Sequence, residues 1–146
     1  MAGNPQAPLG NLNRLSAHVV FNQFPSLNVV PENLAKAGVS IEPQGNVVTQ
    51  IDAMTGMINS PEPYVAVHLS IALNKTSPVA DLFKQQIQQF AVVGDVDVYT
   101  DSSALSKYTL RNVSIMNQGT VSTAGTDGTF NVTLAGTWFV NDGLWV

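Results

Sequence analysis

Along most of this chain apolar and polar residues alternate one by one, and a helical recurrence interrupts that alternation in a single place. Leu15, Ala17, Val19 and Phe21 alternate with Ser16, His18 and Val20, which predicts a strand beginning near Arg14. Leu27, Val29 and Val30 form a short apolar run closed by Pro31, and Val39 and Ile41 form another, ended by Pro43 and Gly45. The strongest alternation puts Val65, Val67, Leu69, Ile71 and Leu73 on one face and Ala66, His68, Ser70 and Ala72 on the other. A further apolar stretch starts at Val47 and breaks at Asn59-Ser60-Pro61-Glu62-Pro63. Two long strands folded about that Pro-containing bend predict an extended hairpin over residues 47–73. Asp95 to Thr100, Tyr108 to Met116 and Phe130 to Val140 read as later strands, with Ala124-Gly125-Thr126-Asp127-Gly128 as turn chemistry between the last two.

The helical recurrence lies at residues 78–90. Ser77 can cap it, Pro78 suits its first position, and Asp81 places a carboxylate in the positive first turn. Val79, Leu82, Phe83, Ile87 and Phe90 make the stripe expected to pack as helix core, opposite Lys84, Gln85, Gln88 and Gln89. Contact with a partner protein is the other use for that stripe. Gly94 follows as a breaker, and residues 1–13, rich in Asn, Gly and Pro, read as an arm. The expectation is one domain over 1–146, mainly β, with two packed antiparallel sheets forming a sandwich or barrel and one flanking α-helix.

Composition sharpens this picture. The 146 residues are 45% hydrophobic and 11% charged, against about 25% charged in ordinary soluble domains. A chain with so few surface charges is expected to cover much of its Asn-, Gln-, Ser- and Thr-rich surface with copies of itself. The net charge is −4, and the six Lys and Arg are scattered singly from Arg14 to Arg111. That pattern makes no basic stripe for tight nucleic-acid binding. The absence of cysteine excludes a disulfide scaffold and a thiolate metal site. No apolar run approaches the roughly 20 residues of a membrane span, and the first residues lack the pattern of a secretion signal.

The search for chemistry yields little. Asn74-Lys75-Thr76-Ser77-Pro78 has no glycine to cradle a phosphate and reads as an ordinary helix cap. Asp95, Asp97 and Asp101 fail the calcium-loop pattern, because Tyr99, Thr100 and Ser106 fall where a ligand, a glycine and a carboxylate are needed. His18 and His68 each stand without a second ligand at metal-binding spacing. Trp138, Phe139 and Trp145 could stack on a sugar or a base, though aromatics on a terminal strand more commonly anchor a core or an interface. No enzyme, cofactor or metal site is expected.

Leu73-Asn74-Lys75-Thr76-Ser77-Pro78, followed by Ala80-Asp81-Leu82-Phe83-Lys84, resembles the strand-to-helix passage of tail tube proteins of contractile-tailed bacteriophages. Gly94-Asp95-Val96-Asp97-Val98 and Asn131-Val132-Thr133-Leu134-Ala135-Gly136-Thr137-Trp138 fit the same pattern, and type VI secretion tube proteins are related. The likeness covers the C-terminal half well; before Val47 it extends only to strand order. The resemblance implies hexameric rings whose inner sheets join into a β-barrel, stacked into the inner tube of a virion tail assembled in the host cytoplasm. It also implies sheath, baseplate and tape-measure proteins as partners, with DNA passing through the lumen unbound during ejection and no membrane. The competing reading is a surface binding module of β-sandwich type for a carbohydrate or a receptor.

In such a tube the alternation assigns Ala66, His68 and Ser70 to the channel, together with Gln50 and Asp52 on the presumed partner strand. The uncharged tip Met54, Thr55, Gly56, Met57 and Ile58 is the expected contact between stacked rings, since exposed apolar side chains need a cover. The arm from Ala2 to Asn13 is the alternative stacking element, and a hairpin folded back on its own domain is the alternative use of the tip.

Overall fold

Between residues 8 and 145, the part of the chain that the computed structural model describes, eight strands and a single α-helix form. The strands are β1 (His18–Phe21), β2 (Leu34–Gln44), β3 (Val48–Asp52), β4 (Met57–Pro61) and β5 (Tyr64–Asn74) before the helix α1 (Pro78–Gln89). After it come β6 (Val92–Tyr99), β7 (Lys107–Gln118) and β8 (Thr129–Phe139). Six strands form one antiparallel sheet in the order β1-β6-β7-β8-β5-β2, and β3 and β4 form a second, two-stranded sheet.

The large sheet curls into a half-barrel. One cleft of about 720 Å³ is lined at once by Val39, Ile41 and Pro43 of β2 and by Val98, Tyr108 and Leu110 of β6 and β7. Strands near opposite ends of the sheet therefore face each other across an open seam. Alternation fills the concave side: Val65, Val67, Leu69, Ile71 and Leu73 of β5 are all buried, as are Val96, Val98, Leu110, Phe130, Val132 and Leu134. Gly136 belongs to the same face. A Cβ there would lie 2.6 Å from Val113 Cγ2, so only glycine lets β8 and the β7 side chain approach this closely.

The helix forms as its sequence signals require. Ser77 Oγ accepts from the Val79 N–H at 3.3 Å, Pro78 occupies the first turn, and Asp81 lies at the positive end. Phe83 is fully buried, and Val79, Leu82 and Ile87 pack against the core at partial burial. Ala80, which the stripe did not include, is buried too. Phe90 is a correction. It stands one residue past the helix with extended backbone (φ −164, ψ 117), which swings its side chain off the stripe and leaves it 64% exposed.

Two further expectations change. Arg14–Ser16 forms a 3₁₀ turn capped by the Asn13 side chain, so the first strand starts only at His18. The extended hairpin over 47–73 does not form either. Both edges of β5 are occupied, by β2 and by β8, so residues 48–61 do not pair with it and pair with each other instead. Their turn is Ala53 to Gly56, closed by the Ala53 N–H on the Gly56 carbonyl at 2.8 Å, and the Pro-containing segment is the link into β5. The predicted strand around Val39 and Ile41 is longer than its Pro43 boundary suggested. Proline is tolerated there because β2 is an edge strand.

Candidate self-assembly surfaces

The hairpin β3–β4 is held together by its own register, Gln50 opposite Asn59, Ile51 opposite Ile58 and Asp52 opposite Met57. It has no extensive packing against any other element, and every residue of both strands is exposed. Ile51, Met57 and Ile58 are each about half exposed and Met54, at the turn, is fully so. Thr55 and Gly56 complete the tip. The five tip residues singled out by the sequence thus sit together at the end of a projecting arm. Gln50 and Asp52 belong to this arm and not to the large sheet, which separates them from Ala66, His68 and Ser70.

Those three lie on the outer face of β5, and the register extends them into rows across the sheet. Ser40, Ser70, Thr133 and Asn117 form one row; Glu42, His68, Ala135 and Ser114 the next; Gln44, Ala66, Thr137 and Arg111 the third. The wall is polar and small-residued, with few ionic groups. Ala66 and Ser70 are exposed and His68 is half-buried. Toward β6, Arg111 donates to Asp95 at 2.8 Å and the Thr109 hydroxyl to Asp97 at 2.9 Å. Asp95 and Asp97 are thereby engaged with neighbouring strands, and no group of three metal-binding side chains exists among the described residues. Lys75 donates to the Ser122 carbonyl, so the segment before α1 acts as a helix cap and a loop tie.

The aromatic residues divide. Trp138 meets Tyr108 edge to face at 5.3 Å on the cleft side. Phe139 and Trp145 meet at 6.0 Å on the other side, beside Tyr64, the register partner of Phe139. Periodicity missed Asn141, which follows β8. Its Nδ2 donates to the carbonyls of Val47 (3.0 Å) and Glu62 (2.8 Å) at the base of the hairpin. A lone Asn after a strand carries no sequence signal for contacts 79 and 94 positions away.

No protein-family model matches the chain, and no curated protein matches it in sequence. Solved structures do match in fold. One is a chain of the native gene transfer agent virion, at TM-score 0.52 and 8% identity over 86% of this chain and 95% of that one. A chain from the tail of the empty gene transfer agent particle, with C6 symmetry, matches at 0.51 and 10% identity over 77% and 86%. A chain of the anti-feeding prophage cap, which terminates its tube, matches at 0.53 and 13% identity over 94% and 97%. The fold is therefore one found in tail and tube assemblies, and the matches cover 86% to 97% of those chains.

Proposed function

We propose that this chain is a structural tail protein, the subunit of a self-assembling tail tube, and not an enzyme. The observation that carries this reading is the hairpin β3–β4: an arm with Ile51, Met54, Met57 and Ile58 exposed and no body of its own to cover them. On a lone soluble domain such an arm is an aggregation liability; between identical subunits it is a contact surface. The likeness in fold to chains of tail and tube particles, one of them with C6 symmetry, supports the same reading.

In the finer form of the proposal, six copies close a ring and rings stack into the inner tube of a contractile tail, through which DNA is ejected. The outer-face rows around Ala66, His68 and Ser70 then line the channel. A wall of Ser, Thr, Ala and Asn with net negative surroundings lets a polyanion pass, because counterion-release binding requires clustered Lys and Arg. Tips Met54 to Ile58 meet the next ring. Sheath, baseplate and tape-measure proteins would be the outer and terminal partners, in a virion assembled in the host cytoplasm.

Electron microscopy of the purified chain tests the assembly. The proposal expects uniform hollow fibres. Discrete small particles at all concentrations would overturn it. The cleft lined by Tyr99, Tyr108 and Trp138, within the roughly 300–1,000 Å³ of ligand sites, favours the surface binding module as second reading. Saturable sugar binding by a non-polymerising chain would establish that one.

A further inference from the structure

The hairpin β3–β4 joins the body through two chain links. One passes through Gly45, in the left-handed region at φ +136 with open space around it; the other is Glu62-Pro63. The hairpin closes its own base with the Glu62 N–H on the Val47 carbonyl at 2.9 Å. Asn141 addresses that same closing pair. Its side-chain amide has two N–H donors, and it meets two acceptors, the carbonyls of Val47 and Glu62, at 3.0 and 2.8 Å. The backbone supports the aim. Asn141 sits at φ 53, a conformation that Asn tolerates well, and the preceding Val140 N–H donates to the Pro63 carbonyl at 3.3 Å. The end of β8 is thus tied to both sides of the hairpin base.

We infer that Asn141 is a positioning residue that sets the direction in which the self-assembly hairpin projects. This rests on the reading of β3–β4 as a contact between copies. Leverage gives the tie its importance: five strand residues reach roughly 17 Å, so a tilt of about 15° at the base carries the tip about 4 Å sideways. A displacement of that size takes a methionine out of its seat on a neighbour.

The chain has no cysteine, so cysteines introduced as Thr55→Cys on the tip and Gln88→Cys on α1 accept spin labels at those two places alone. Electron–electron distance measurement on the full chain, under conditions where it is unassembled, reads the hairpin's direction. Asn141→Asp keeps the shape but offers carboxylate oxygens to two carbonyls, and Asn141→Gly keeps the left-handed turn without the amide. The distance distribution is expected to be narrow in the parent and at least twofold broader in both variants. Without labels, both variants should require at least tenfold more protein to assemble, while circular dichroism shows them folded. If the distribution keeps its width in the folded Gly variant, or if it broadens while assembly is unchanged, the inference is overturned. Should Asp fail to fold, the Gly variant alone decides. Should the parent never assemble, the tube reading fails, and the width of the distribution still decides whether Asn141 directs the hairpin.

Discussion

The rings of Phe21 and Phe83 meet edge to face with 5.5 Å between centroids, and both side chains are fully buried. Phe21 ends the edge strand β1 and Phe83 sits in the middle of α1, so this pair fastens the helix to one margin of the curled sheet. Phe83→Ala should lower the stability of the subunit by about 3–5 kcal/mol, measured by denaturant unfolding of unassembled protein. An unchanged midpoint would show that the stripe does not hold the helix down. Phe90→Ala, one residue past the helix and exposed, should change the midpoint little.

Gly136 and Val113 provide a second check on the core. A methyl group on Gly136 would meet the stiff, β-branched Val113 side chain at 2.6 Å. Gly136→Ala should therefore destabilise by about 1–3 kcal/mol. Combining it with Val113→Ala, which empties the same space, should cost less than the sum of the two single changes. Strict additivity in that double-mutant cycle would mean the two positions do not share the space.

Arg111 and Asp95 form an ion pair, with side chains 48% and 36% exposed. Solvent screening makes such a pair weak, so Arg111→Ala should cost no more than about 1 kcal/mol at ordinary ionic strength. A loss several times larger would place Arg111 in a load path within the sheet.

The strands of the large sheet were legible because one face of each packs on a core: Val65 to Leu73 alternate cleanly, and their burial follows. The capped helix was equally legible through Ser77, Pro78 and Asp81, each acting on backbone groups nearby. What failed were matters of partner choice. Val47 to Pro61 has strand character, but alternation cannot say whether it pairs with β5 or with itself; the occupied edges of β5 decide that. Phe90 follows the helical period yet lies past the last turn, where the period no longer applies. Asn141 is invisible locally because its partners are remote in sequence. Of the proposed channel residues, Ala66, His68 and Ser70 share a face while Gln50 and Asp52 ride on the hairpin, a separation that again follows from pairing.

Replacing Met54 and Met57 with Asp should leave the subunit folded, since neither side chain touches the core, and should abolish tubes. The new carboxylates would be desolvated without partners at the contact. Circular dichroism and pelleting by ultracentrifugation read the two effects separately. Tubes of normal length from the double variant would transfer stacking to the arm from Ala2 to Asn13, of which residues 2–7 lie outside the described residues.

Helical reconstruction from electron micrographs of the assembled chain bears most directly on the tube itself. The expected map has six subunits in each ring, the rows of Ala66, His68 and Ser70 on the channel wall, and the β3–β4 tips seated on the adjacent ring. Rings that place Val65, Val67 and Leu69 toward the channel, or fibres with solid cross-sections and free hairpins, would contradict the account.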